Sequence, residues 1–294
     1  MMADTNEPPI GSKPAPALDP GLYIVATPIG NLRDITYRAV DTLKAADRIA
    51  CEDTRVTAKL LHAHDIQTAM TAYHEHNAAK VRPKLIRQLQ EGGRIALVSD
   101  AGTPLISDPG YRLVTEAVAA GIAVTAIPGA SATLAALASA GLPTDRFLFA
   151  GFLPPRSGQR RTALRPLAGI GATLVFFESP RRFAAALRDM RTVLGPRQAA
   201  IARELTKRYE EIRRGSLDDL IRYYESSEPP PGEAVIVVGP PGADAAEDAP
   251  DIDALLRRAL QDMSLRDAAA TVAEATGSSR REVYARALAL NLDK

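Results

Sequence analysis

Cysteine is nearly absent from this chain: of 294 residues, only Cys51 carries a thiol. No intrachain disulfide can form, and a zinc site built on cysteines cannot be assembled from this chain alone. That usage points to a reducing compartment, so a cytoplasmic protein is expected. An excess of one charge is missing too, since 36 Lys and Arg stand against 35 Asp and Glu, for a formal net charge of +1. A nucleic-acid partner would have to be met by local basic patches, not by a global field. Residues 1–20 are Pro-rich and polar, lack the apolar core of a secretory signal, and read as a disordered lead-in. Residues 117–142 carry no charge over a length that could span a bilayer, but they are mostly Ala, Gly, Ser and Thr, and Pro128-Gly129 divides them. A buried strand, a turn and a helix fit this stretch better than a membrane span. The phosphate loops GxxxxGK[ST] and GxGxxG are both absent.

What is present is a repeated unit of strand, turn and helix. The run Leu22 to Ala26 closes on TPIGN, and Asp34 opens a segment with Ile35, Ala39, Leu43 and Ala46 at helical spacing. Ile95 to Val98 closes on SDAGTP. Asp108 then suits an N-cap with Pro109 in the first helical position, and Leu113, Val114, Ala117 and Val118 form one apolar face before Gly121. Ile122 to Ile127 closes on PGASA and leads into a helix from Ala132 to Ala140. Three such units predict a mostly parallel sheet flanked by helices. From Phe147 the texture changes: strand-like runs at 147–152, 172–177, 198–202, 208–214 and 233–238 are separated partly by helices and partly by short turns, as in a second α/β domain with antiparallel pairing. The predicted organisation is therefore an α/β domain at 21–143, a second at 144–239 containing a loop at 227–231, a linker at 240–251, and a helical domain at 252–294. The last reads as helices at 252–263, 265–276 and 280–290 with Gly277-Ser278-Ser279 as a turn. That pattern suits a helix-turn-helix or equally a hairpin used for packing or dimerisation.

In open α/β sheets, ligands lie outside the carboxyl ends of the strands, so TPIGN, SDAGTP and PGASA are expected to share one crevice. Asp100 at such a strand end would repel a phosphate and favours a cationic or hydroxyl-rich ligand. Gly102 allows close backbone approach, while Pro28 and Pro104 fix the loop walls. Asp100 and Asp108 are also ordinary turn and helix caps, and one such loop alone does not separate the two readings. The four histidines form two His-x-His pairs at 62/64 and 74/76, but nothing pairs with them in a metal-ligand pattern, and no metal is expected. The stretch 73–77 is read as a wall of the active-site cleft.

YIVATPIGNLRDIT at 23–36, IACEDTR at 49–55, YHEHN at 73–77, LVSDAGTPLISDPG at 97–110, IPGASA at 127–132, GLPTDRFLFAGFLP at 141–154, VFFESPRR at 175–182, ARELTK at 202–207 and GEAVIVV at 232–238 occur in this order. Over roughly residues 22–239, they resemble the ribosomal RNA small subunit methyltransferase I family of the tetrapyrrole methylase superfamily. The resemblance implies two α/β domains of tetrapyrrole-methylase type with the cofactor cleft between them, plus the small C-terminal helical domain. It implies S-adenosyl-L-methionine as donor, the 2′-hydroxyl of a cytidine in the decoding region of 16S rRNA as acceptor, a 30S subunit context, and a homodimer. Carried over position by position, cofactor contacts would fall on Pro28, Ser99, Asp100, Thr103, Ser131, Ala132, Phe177, Glu178 and Ala234.

A 2′-hydroxyl is a poor acid, so the reaction needs a base or an oriented hydroxyl. Candidates are Glu178, Glu204, Lys207, and Asp53 with Arg55, each of which would serve equally in a salt bridge or a domain-interface bond. Basic patches that suit RNA are Arg156, Arg160 and Arg161 in RSGQRR, followed by Arg165; then Arg181 and Arg182; and then Arg281 with Arg280 and Arg286. Two rivals remain: a precorrin-type C-methyltransferase, which would need a deep apolar trough, and a non-catalytic RNA-binding protein.

Overall fold

The computed structural model describes residues 18–107, 110–242, 252–276 and 278–292. The expected lead-in at 1–17, the cap Asp108-Pro109, most of the linker and Gly277 lie outside the described residues. The chain divides into two units, Met1–Pro240 and Pro241–Lys294.

The first half of the larger unit runs β1 (Gly21–Val25), α1 (Tyr37–Ala45), β2 (Arg48–Cys51), α2 (Thr54–Ala63), β3 (Met70–Ala72), α3 (Ala78–Gln90), β4 (Arg94–Val98), α4 (Tyr111–Ala119), β5 (Val124–Ile127) and α5 (Ala132–Ala140). Its sheet has the order β3-β2-β4-β1-β5, with every pairing parallel. Successive side chains alternate across it. Tyr23 and Val25 enter one apolar cluster with Leu43 and Ile49, whereas Leu22 and Ile24 enter the opposite one with Leu85 and Leu113.

Two expectations are corrected in this half. Asp34 does not open α1 but sits in a short 3-10 turn, and Thr36 is the N-cap, its hydroxyl accepting from the Ala39 amide. Val118 is 61% exposed, because the packed face of α4 is carried by buried Leu113 and Ala117 with partly buried Val114.

The second half runs β6 (Phe147–Phe152), α6 (Ser157–Leu164), β7 (Thr173–Glu178), α7 (Phe183–Leu194), β8 (Gln198–Arg203), β9 (Glu211–Ser216), α8 (Leu217–Ser226) and β10 (Ala234–Val238). Its sheet has the order β6-β7-β10-β8-β9, with only β6 and β7 parallel. The run expected at 208–214 begins three residues later, since Glu204 to Glu210 form a turn. Along β7 and β10, one face (Leu174, Phe176, Ile236, Val238) packs on α7 and α8 through Leu187, Met190 and Leu220. The other (Val175, Val235, Val237) packs against Ala136, Leu137 and Ala140 of α5. The helix ATLAALASA is largely apolar, and it packs on the second sheet through Ala136, Leu137 and Ala140 while Leu134 stays 54% exposed. It brings the carboxyl ends of the first sheet's strands to the second sheet.

The smaller unit holds α9 (Ile252–Asp262), α10 (Leu265–Thr276) and α11 (Arg280–Leu292) around Leu256, Ala269, Val272, Ala273, Val283 and Ala287. Ser264 caps α10: its hydroxyl donates to the Asp267 carboxylate and accepts from the Asp267 amide. Among the described residues, no helix is long and apolar enough to cross a membrane.

Candidate active site

Three loops at the strand ends of the first sheet are stitched together by hydrogen bonds. Thr27 and Gly102 exchange backbone bonds at 2.9 and 3.0 Å, joining TPIGN to SDAGTP. Thr103 Oγ1 donates to the Ala130 carbonyl at 3.3 Å, joining SDAGTP to PGASA. Gly102 has φ +79°, and a Cβ there would press on Ile29 at 3.3 Å, so the close approach of the two loops depends on glycine.

These loops form one side of a pocket of about 490 Å³. Ile29, Asp100, Thr103, Ser131 and Ala132 line it from the first half; Phe152, Phe177, Glu178, Glu204, Lys207 and Ala234 line it from the second. Pro28 and Ser99 are buried and do not line it. Ser99 is 4% exposed and holds the loop from behind, its hydroxyl donating to the carbonyls of Ala101 and Gly102 at 3.2 and 3.3 Å. Asp53 stands outside the pocket as well. Its carboxylate caps α2 and pairs with Arg55 at 2.6 Å, and hydrogen bonding from Arg55 holds its pKa down to about 2. Its amide donates to Asp100 Oδ1 at 3.0 Å, so it orients the acid that does face the pocket. The stretch 73–77 makes no wall, since Tyr73 is buried in the sheet core and Asn77 closes a local turn onto His74.

Glu178, at the end of β7, has a side chain with no exposure to solvent. Its Oε1 accepts from the Ser179 amide at 2.8 Å and from Arg182 Nε at 2.5 Å, while Oε2 is buried with no hydrogen-bond partner among the described residues. Thr133 Oγ1, on α5 in the first half's share of the lining, is in the same condition. Also from the second half, Lys207 Nζ donates to Glu204 at 3.0 Å and to Glu233 at 2.9 Å. Burial alone would raise the Glu204 carboxyl, but hydrogen bonds from Lys207 and the Glu233 amide outweigh it and leave the pKa lowered. Burial would depress Lys207, but hydrogen bonds to Glu233 and Glu204 leave its pKa raised. The turn carrying this pair holds two non-glycine residues in left-handed backbone, Glu204 at φ 50° and Thr206 at φ 66°.

The expected RNA patches are partly dismantled. Arg160 is 2% exposed and bonded to Asp189, because α6 turns it inward on the same face as Leu164. Arg182 serves Glu178 and the Leu153 carbonyl. Arg161 is half exposed and also reaches Asp189. Arg156, Arg165, Arg181, Arg280, Arg281 and Arg286 lie at the surface. Sequence reasoning missed Phe152, Ile106 and Glu233 as pocket residues. Phe152 stood in an apolar run that reads as strand, with nothing in the run to show that its last ring leaves the core.

Residues 21–221, which hold both sheets up to α8, match the model of the tetrapyrrole (corrin/porphyrin) methylases. The RsmI C-terminal HTH domain matches residues 246–291. Among solved structures, cobalt precorrin-4 methyltransferase has the same fold at TM-score 0.55 and 18% identity, covering 74% of this chain and 94% of that one. Uroporphyrin-III C-methyltransferase from Thermus thermophilus, complexed with S-adenosyl homocysteine, aligns at TM-score 0.53 and 21% identity, covering 74% and 97%. The chain is thus a member of the tetrapyrrole methylase class. Within that class it is 56% identical over 278 residues to ribosomal RNA small subunit methyltransferase I of Mesorhizobium japonicum, covering 94% of each chain. It is 46% identical over 271 residues to that of Escherichia coli O157:H7, covering 91% and 94%. It belongs to the ribosomal RNA small subunit methyltransferase I family.

Proposed function

We propose that the pocket binds S-adenosylmethionine and that the protein methylates 16S rRNA at the ribose 2′-hydroxyl of a cytidine in the decoding region, on the 30S subunit, in the cytoplasm and as a homodimer. The observation that carries the donor assignment is the orphaned Glu178 Oε2 in a pocket also lined by Asp100, Glu204 and Glu233. A buried carboxylate oxygen without a partner is costly, and a ligand that donates hydrogen bonds or carries positive charge relieves it. The donor set fits a molecule with an ammonium, ribose hydroxyls and a sulfonium, and rejects a phosphate. When bound, S-adenosylmethionine supplies an electrophilic methyl group.

The chain's own residues bind and orient. Asp100, fixed by the Asp53 amide, accepts from the ammonium or ribose hydroxyls. Glu178 accepts through Oε2, and Thr133 offers its hydroxyl. Lys207, with two of its three N–H bonds directed to carboxylates, keeps one donor for the acceptor nucleotide and stays protonated at neutral pH. Glu204, held by Lys207 below the ordinary carboxylate range, is a weak base. Acceleration then comes chiefly from holding the hydroxyl in line with the methyl group, and its proton leaves to solvent as the new bond forms.

The test is transfer of labelled methyl from S-adenosylmethionine to undermethylated 30S subunits by the wild type and by Asp100→Ala. Label in a ribose of the decoding region, lost in the variant, is the expected result. Donor binding without transfer to RNA would discard the acceptor and call for tetrapyrroles in its place. Absence of donor binding would discard the methyltransferase reading.

A further inference from the structure

Strand β6 pairs with β7 through one irregularity. Phe149 lies opposite Val175 but Gly151 lies opposite Phe176, so Ala150 is an extra residue in β6. Gly151 accommodates the bulge in left-handed backbone at φ +66°, with Ser107 Oγ 3.4 Å from where a Cβ would stand. In a regular strand, Phe149 and Phe152 are three residues apart and would point to opposite faces. The extra residue puts both on the face of Val175 and Phe177. Phe177 accordingly meets both rings edge-on, at 4.8 Å from Phe149 and 5.4 Å from Phe152.

Phe149 and Phe177 are partly buried in the apolar cluster between α5 and the second sheet. Phe152 lines the pocket and yet is 62% exposed. The bulge therefore delivers a ring to the pocket rim where the protein itself does not cover it. Ile106, which lines the same pocket, is 44% exposed, and Asp100, Glu178, Glu204 and Glu233 supply its acidic lining. Four residues on, exposed Arg156 precedes α6.

We propose that Phe152 is the stacking platform for the base of the acceptor nucleotide, which is therefore taken unpaired. This rests on the reading of the pocket as that of an rRNA methyltransferase. A nucleotide whose ribose must enter a pocket between two sheets brings its base to the rim, and an RNA base offers a π face to an aromatic ring only once it has left its own stack. The edge contact with Phe177 fixes the Phe152 ring in advance, and Arg156 supplies a cation for the adjoining phosphate.

The experiment compares Phe152→Ala, Phe152→Leu and Phe152→Trp. Steady-state methylation of undermethylated 30S subunits is measured, with calorimetric binding of S-adenosylhomocysteine and light scattering alongside. We expect Phe152→Ala and Phe152→Leu to raise KM for the subunit on the order of tenfold or more, Phe152→Trp to retain the wild-type KM, and all three to bind S-adenosylhomocysteine within about twofold of the wild type. A wild-type KM in Phe152→Leu would make the ring a mere apolar filler, and weakened S-adenosylhomocysteine binding with unchanged KM would assign it to the donor. A change in molar mass would assign the ring to contact with a second copy; each of these outcomes overturns the proposal while leaving the methyltransferase intact. A wild type that transfers no methyl to RNA overturns both.

Discussion

Asp189 gathers four donors on one buried carboxylate: Arg160 Nε at 2.7 Å, Arg160 Nη2 at 2.6 Å, Arg161 Nε at 2.6 Å and the Ser157 hydroxyl at 2.9 Å. Arg160 spends its other N–H groups on the carbonyls of Pro155 and Ala185. Removing one partner of such a pair leaves an unanswered charge in the interior. Arg160→Met should therefore cost about 3–5 kcal/mol in equilibrium denaturation, whereas Arg156→Ala should leave stability unchanged and weaken binding to 30S subunits. Burial raises the Asp189 carboxyl, but Arg161, Ser157 and Arg160 together leave its pKa lowered. A lowered carboxyl stabilises above its ordinary value of 3.8, and that contribution is lost as the pH falls through the depressed value. The stability gap between wild type and Asp189→Asn should hold at neutral pH and close in acid, as read from denaturation curves between about pH 3 and 7. None of this was legible in RSGQRR. A run of arginines carries no mark of the one turned inward, and only the helical register with Leu164 selects Arg160. Asp100, by contrast, lines the pocket as its place at a strand end led one to expect, although the loop alone did not separate a ligand contact from a turn cap.

At the scale of elements, the turn between β8 and β9 is shaped by glycines on other loops. The Lys207 side chain occupies the space where a Cβ on Gly30 would stand, and the Glu204 carboxylate that of a Cβ on Gly232. Gly232 also has φ +106°, which strains any L side chain. Gly232→Ala should then displace Glu204, release Lys207 and depress methyl transfer, with a stability loss of about 1–3 kcal/mol; wild-type turnover and stability in this variant would refute this account. The pair also has a defined pH window. Glu204, lowered from 4.5, stabilises above that value and loses its contribution as the pH falls; Lys207, raised from 10.5, stabilises below that value and loses its contribution as the pH rises through its folded pKa. The stability contributed by this pair should therefore be flat from about pH 6 to 9, as read from denaturation curves of the wild type against Lys207→Met. The units around β1, β4 and β5 were legible from apolar runs followed by Gly and Pro turns. Strands β2 and β3 were not, since four residues, RIAC, and three, MTA, give no periodicity to read. The bulge in β6 was equally hidden, because FLFAGF is apolar on both faces and a one-residue slip leaves no trace in its pattern.

For the whole molecule, the informative fact is where the pocket ends along the chain. Its walls run from Ile29 to Val235, all before Pro240, and the helices beyond it have a separate apolar core. Among the described residues of that smaller unit, Arg280, Arg281 and Arg286 are exposed on α11, as is Tyr284 at 43%. A chain ended after Pro240 should bind S-adenosylhomocysteine within about twofold of the full chain, since no pocket wall is removed. It should bind 30S subunits more weakly if the helices contact RNA. The salt dependence distinguishes that contact from a general loss of fold. Each phosphate contact removed lowers the slope of log affinity against log salt by roughly 0.7 to 0.9, so arginines on RNA predict a shallower slope for the truncated chain, approached by Arg281→Ala within the full one. Equal slopes with weaker affinity would mean that the helices support the enzyme without touching phosphate, and a loss of donor binding would mean that the two units are not independent.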